Sequence, residues 1–195
     1  MTDLIFATAN IHKAQEIQSL LPAGFAVRTM KEAGWNEEIP EPFFTLDENA
    51  VHKATVIHNR SNSNCFAEDT GLEVEALNGE PGVFSARYAG EPRSDAANIA
   101  LLLQRLEAQT RRQARFRTVM ALWFNGQLHL FEGICQGTIA TAARGTSGFG
   151  YDPVFQPEDS TLTFAEMGLA EKNQFSHRKK ALAAMISFLT QEAAL

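Results

Sequence analysis

The stretch Asn64-Cys65-Phe66-Ala67-Glu68-Asp69-Thr70-Gly71-Leu72-Glu73-Val74 sets a short apolar run against two adjacent carboxylates. Cys65, Phe66 and Ala67 read as a buried strand. Thr70-Gly71 reads as a turn, with a second strand from Leu72 to Ala76. Side chains alternate along an extended chain, so Glu68 and Asp69 face one ligand together only if the first strand has already ended. An acidic strand end of this kind suits a hard cation such as Mg²⁺, which takes oxygen ligands and keeps several waters. A solvated turn has the same composition, so the flanking segments decide.

Upstream, Leu4 to Ala7 reads as a buried first strand, followed by Thr8-Ala9-Asn10-Ile11-His12-Lys13. An amphipathic helix comes next, with Ile17, Leu20 and Leu21 on its apolar face and Pro22 and Gly24 closing it. Helix N-terminal amides, the Thr8 hydroxyl and the Lys13 ammonium can converge there on one phosphate. The turn lacks the glycines of a P-loop, which argues against a Walker-type site. Phe25 to Met30 reads as a second strand, and Glu37 to Phe44 as an irregular segment rich in proline and carboxylates. Thr45-Leu46-Asp47-Glu48 is a capping box that opens a helix to about His58, carrying Lys53.

Downstream, Asn78-Gly79-Glu80-Pro81-Gly82 predicts a tight loop. Ser94 caps a helix whose Ile99, Leu102, Leu103 and Leu106 form a core stripe. Phe116 to Phe124 and Gln127 to Cys135 flank Asn125-Gly126, the signature of a hairpin with a type I′ turn. Gly145 to Pro153 is a second glycine-rich loop, this one aromatic. Near the end, Glu171-Lys172-Asn173 precedes Ser176-His177-Arg178, and Ser176 reads as the N-cap of a last helix with Leu182, Met185, Ile186 and Leu189 inward. Cations in a first helical turn oppose the helix dipole, so His177 and Arg178 point to an anion there.

Alternating strands and helices followed by a long hairpin give an α/β fold with an elongated mixed central sheet flanked by helices, in one domain over residues 1–195. The net charge of −6 argues against a general nucleic-acid binder, although local basic clusters can still hold a phosphate. The N-terminus lacks a basic leader, and no apolar run approaches the roughly 20 residues that span a bilayer. Cys65 and Cys135 have no metal-type spacing and read as two buried free thiols of a cytoplasmic protein.

Five segments in this order resemble the inosine triphosphate pyrophosphatase family, which removes non-canonical purine nucleotides. They are Thr8 to Lys13, Ala67 to Leu72, Pro81-Gly82 with Ser85-Ala86-Arg87-Tyr88, Phe149-Gly150-Tyr151-Asp152-Pro153, and Ser176-His177-Arg178. The chain departs from the family at Ala9, where glycine is common, and at Pro40 to Phe44, which replaces a more glycine-containing stretch. The resemblance implies Mg²⁺-dependent hydrolysis of ITP, dITP and XTP to the monophosphate and pyrophosphate. It also implies a homodimer and two lobes with the active-site cleft between them. Asp69 is assigned to water activation and metal binding, with Glu41 as second carboxylate and Glu37 or Glu38 as substitutes. Thr8, Asn10, Lys13, Lys53, Thr70, Phe149, Gly150, Tyr151, Asp152, Lys172, His177 and Arg178 are the expected substrate contacts.

The residue types fit that chemistry independently. Mg²⁺, Lys13, Lys53, Lys172 and Arg178 offset the charge of a triphosphate, and phosphoryl transfer needs mostly positioning and charge stabilisation. Phe149 or Tyr151 can stack on a purine, and His177 or Arg178 can donate to its 6-oxo group. A Maf-type pyrophosphatase with another base preference, a phosphomonoesterase with a nucleophilic aspartate, and a non-catalytic nucleotide sensor are the competing readings.

Overall fold

The computed structural model describes residues 1–8, 14 and 17–193. Its strands are β1 (Thr2–Phe6), β2 (Phe25–Thr29), β3 (Cys65–Val74), β4 (Pro81–Gly82), β5 (Gln113–Phe124), β6 (Gln127–Ile139) and β7 (Phe155–Pro157). Its helices are α1 (Leu46–Ser61), α2 (Asp95–Arg105), α3 (Leu169–Phe175) and α4 (His177–Glu192). The strands form one open mixed sheet in the order β2-β1-β3-β5-β6-β7, with β4 paired to β3. The chain falls into two compact units, residues 1–69, 119–132 and 180–195 in the first, 70–118 and 133–179 in the second. The boundary crosses β3 between Asp69 and Thr70.

In the first unit β1 runs parallel to β2, from Thr2 beside Phe25 to Phe6 beside Thr29, and parallel to β3 at Ile5–Cys65 and Phe6–Phe66. Parallel strands are covered on both faces, which is why Leu4-Ile5-Phe6 and Cys65-Phe66-Ala67 read as unbroken apolar runs. Leu4, Phe6 and Phe66 pack on one side with Leu182, Met185 and Leu189, while Ile5 and Cys65 pack on the other with Ile57 and Met30. The Phe6 and Phe66 rings stack with centroids 4.4 Å apart. Ile17 is buried and Leu21 partly so, but Leu20 is 46% exposed. The turn has ended by then, with the amides of both Leu20 and Leu21 bonded to the Ile17 carbonyl, so Leu20 leaves the expected apolar face.

The second unit packs Leu72 and Val74 of β3 against Leu102 of α2 and Leu106 just beyond its end, together with Val154, Phe155 and Phe164. Here β4 is antiparallel to β3, with Leu72 beside Gly82 and Glu73 beside Pro81, and β7 is antiparallel to β6. The hairpin turn has φ 49° at Asn125 and 77° at Gly126, the pair of positive values that a type I′ turn requires.

Two expectations change, and one short helix is added. β3 runs unbroken through Thr70-Gly71, because β4 supplies a partner for Leu72 and Glu73 where the sequence suggested a turn. Helix α1 continues to Ser61, closed by Asn62 at φ 49°. Glu171 to Asn173 lies within a separate short helix, α3. Both cysteines are free and buried, and burial pushes the Cys65 thiol up to about 12.

Candidate active site

Helix α1 is the element that builds the acidic site. The Thr45 hydroxyl caps it by accepting from the Glu48 amide at 3.2 Å. Its buried stripe is Leu46, Asn49, Ala50, Lys53, Ala54 and Ile57, one helix face at the usual spacing. A lysine on such a face must find carboxylates. Lys53, 8% exposed, donates to Glu41 Oε1 at 2.7 Å and to Asp69 Oδ1 at 3.0 Å. Of the three acids considered beside Asp69, it is Glu41 that the fold brings to this point. Glu37 lies 3.8 Å from Arg60 with its side chain 83% exposed, and Glu38 is exposed.

Because β3 is continuous, Glu68 and Asp69 point to opposite faces, and Asp69 reaches this cluster. Burial is the main force on its carboxyl and pushes it up to about 6. The Lys53 charge opposes that rise and the Glu41 charge adds to it. Burial pulls the Lys53 ammonium down, but Asp69 and Glu41 outweigh it, so its affinity for the proton is raised. Lys53 therefore holds the two carboxylates together.

Asn49 places Glu41, and the sequence reading did not single it out. It is 1% exposed, accepts from the Phe43 amide at 3.0 Å and donates to the Phe43 carbonyl at 3.1 Å. Both backbone groups of a residue two positions beyond Glu41 are thus fixed to α1. The visible signal was an amide side chain sharing the apolar stripe, since a buried Asn must satisfy its hydrogen bonds. Also in the first unit, Thr8 follows β1 and accepts from the Met30 amide on its carbonyl at 3.2 Å. Asn10 and Lys13 lie outside the described residues.

In the second unit Phe149, Gly150, Asp152 and Lys172 come together. Asp152, 4% exposed, accepts from the Phe149 amide at 2.9 Å and from the Lys172 ammonium. That ammonium lies 5.3 Å from the Phe149 ring centroid and 5.2 Å from that of Phe164. Phe149 is 72% exposed and presents its ring to solvent. Tyr151 does not share that role: it is 3% exposed and its hydroxyl donates to the Ser85 carbonyl at 2.9 Å. Burial is the largest cause holding that phenol above its ordinary range. A loop has no side-chain period, so nothing in the sequence told which aromatic turned inward.

Thr70 shares a hydrogen bond of 2.8 Å with the Thr118 hydroxyl. Ser176 accepts from the Lys179 amide at 3.2 Å, capping α4 and setting His177 and Arg178 in its first turn. The His177 ring stacks on Phe116, centroids 4.9 Å apart, and Arg178 is half-buried.

Comparison with known proteins places the chain. The model of the Ham1 family matches residues 4–188. The chain belongs to the Ham1 family. A dITP/XTP pyrophosphatase of Porphyromonas gingivalis is 52% identical over 190 residues, covering 97% of this chain and 98% of its own. One from Flavobacterium psychrophilum is 49% identical over 185 residues, covering 95% and 97%. The solved Ham1 protein of Staphylococcus aureus has a TM-score of 0.93 at 36% identity, over 98% of this chain and all of that one. The HAM1 protein of Coxiella burnetii gives 0.92 at the same identity.

One glycine of this Ham1 chain has a testable cost. Gly148 sits at φ +82°, and a Cβ there would lie 2.0 Å from Asp152 Oδ2. Gly148→Ala combines backbone strain of about 1–3 kcal/mol with displacement of the carboxylate that holds Phe149 and Lys172. A lower Tm and a raised KM for the nucleotide are expected together, read by calorimetry and steady-state kinetics.

Proposed function

We propose that this protein hydrolyses non-canonical purine nucleoside triphosphates, ITP, dITP and XTP, to the monophosphate and pyrophosphate. In that role it removes deaminated purines from the nucleotide pool. The observation that carries the reading is the Glu41–Lys53–Asp69 cluster, buried and mutually bonded, in a chain about half identical to proteins named dITP/XTP pyrophosphatase.

The cluster fits Mg²⁺. Glu41 and Asp69 both reach one ammonium, so their oxygens converge, and the donor set is all-oxygen. Among the described residues no group of three His, Cys, Asp or Glu side chains is arranged to hold a metal. A pair of carboxylates suits an ion that takes its remaining ligands from water and phosphate. Glu41 and Asp69 would hold it, and when bound it would supply positive charge to the triphosphate.

The chain's own residues do the rest. Asp69 orients a water and accepts its proton, and a carboxyl raised toward neutrality is a better base than an ordinary aspartate. Lys53 keeps Asp69 and Glu41 at one place despite their mutual repulsion. The bond between the α and β phosphates breaks, and pyrophosphate leaves. Phe149 stacks on the purine, while His177 and Arg178 offer donors to its 6-oxo group.

No helix among the described residues is long and apolar enough to cross a membrane, in keeping with a cytoplasmic enzyme acting on free nucleotides. The working assembly is a homodimer, which sedimentation would check. The deciding experiment is a panel of nucleoside triphosphates with Mg²⁺, identifying products as well as rates. Release of orthophosphate in place of pyrophosphate, or no turnover of ITP and XTP, would sink the proposal.

A further inference from the structure

The first turn of α2 reaches two glycine-rich segments. Ser94 caps this helix by accepting from the Ala97 amide at 3.3 Å, which puts Asp95 at the first helical position. A carboxylate is favoured there by the helix dipole. Asp95 Oδ2 accepts from the Gly150 amide at 2.6 Å. Three residues on, and so on the same helix face, Asn98 accepts from the Ala89 amide at 2.8 Å. It also donates to the Ser85 and Ala86 carbonyls at 3.4 and 3.2 Å. Tyr151 donates to the same Ser85 carbonyl, so α2 holds the segment at 85–89 and the segment at 149–151 in one network.

Phe149 borders that network. Its own amide ends on Asp152, and the next amide along ends on Asp95. Two successive N–H groups are each fixed by a carboxylate, one buried and one exposed. Gly150 holds φ +60° just after them, and the Phe149 ring projects outward, 72% exposed. An exposed ring gains little from packing, so its direction depends on the backbone that carries it.

We propose that Asp95 is a positioning residue for base recognition: by fixing the Gly150 amide it holds the Phe149 ring in the pose that stacks on the purine. This rests on the reading above that the Phe149 loop takes the base. Asp95 is fifty-five positions from its partner and belongs to none of the five segments that carry the family resemblance. It bears on binding of the base and has no part in the bond-breaking step.

The test compares wild type, Asp95→Ala and Asp95→Asn. KM and kcat are measured for ITP and ATP, with Ki for inorganic tripolyphosphate as a competitive inhibitor that has no base. Asp95→Ala should raise KM for ITP by about ten-fold, the scale of one lost charge-assisted hydrogen bond. Its kcat should stay within about two-fold, because the reacting atoms are untouched. Ki for tripolyphosphate should not move, and Tm should change by no more than about 2 °C, as for an exposed substitution. Asp95→Asn keeps an oxygen that can accept from Gly150 and should restore most of the loss. An unchanged KM for ITP in Asp95→Ala overturns the proposal, and so does a Ki for tripolyphosphate that rises in step with KM. Failure of the underlying reading looks different: Phe149→Ala would then leave KM for both nucleotides as in wild type.

Discussion

Asn in place of Asp69 should lower kcat by about 10²- to 10⁴-fold while the protein stays folded, the range expected when a general base is lost. The amide is isosteric and still offers Lys53 an oxygen, but it has neither charge nor basicity. Glu41 does not replace it, being already bonded to Lys53 and about a third exposed. The pH dependence gives an independent check. Burial lifts the Asp69 carboxyl from 3.8 to about 6, so the folded state tolerates its ionised form less well than the unfolded state does. Its contribution to stability is therefore present below the unfolded value and is lost as pH rises through about 6. The amide of Asp69→Asn does not titrate, so the variant's Tm should gain on wild type between about pH 4 and pH 7. In wild type the acid limb of kcat/KM, which reports the free enzyme, should fall near this carboxyl's own titration at low Mg²⁺. Pyrophosphate release by Asp69→Asn at near wild-type rate would make the cluster structural.

Much of this was legible locally, for identifiable reasons. The caps at Thr45, Ser94 and Ser176 each pair a side-chain oxygen with an amide three residues on, a bond that short-range sequence dictates. The hairpin was legible because Asn125-Gly126 is one of few pairs that tolerate positive φ twice. Lys53 was readable in principle, since it falls on the same stripe as Ala50, Ala54 and Ile57. What failed was whatever depends on a distant partner. Thr70-Gly71 looks like a turn until β4 is known to pair beyond it. Tyr151 and Phe149 are equivalent in sequence, and a single hydrogen bond to Ser85 turns one of them inward. Asn49 and Asp95 act on backbone of other segments, and no periodicity announces such a bond. The resemblance to a family supplied the substrate class that spacing alone did not.

ITP should be turned over with kcat/KM about ten- to hundred-fold above that for ATP for each buried donor that reads the 6-position, since an unpaired donor costs roughly 1–3 kcal/mol. The two nucleotides share sugar and triphosphate, so neither the acidic cluster nor any lysine on phosphate can tell them apart. The candidates divide by the structure. Phe149 offers only a ring face, and stacking is tolerant of base identity. Phe149→Ala should therefore lower kcat/KM for ITP and ATP alike, by roughly ten-fold at the lower end of about 1–3 kcal/mol per stacked base. Tyr151 is removed from the contest, its hydroxyl being engaged with Ser85. Discrimination then falls to His177 and Arg178 in the first turn of α4. Arg178→Ala should shrink the ITP to ATP ratio while leaving Ki for tripolyphosphate nearly unchanged. GTP carries the same 6-oxo group, so the same variant should leave the ITP to GTP ratio where it was. If Arg178→Ala and His177→Ala both keep the wild-type ITP to ATP ratio, the 6-oxo filter does not lie at the start of α4. If Phe149→Ala narrows that ratio instead, the ring reads more than a π-face.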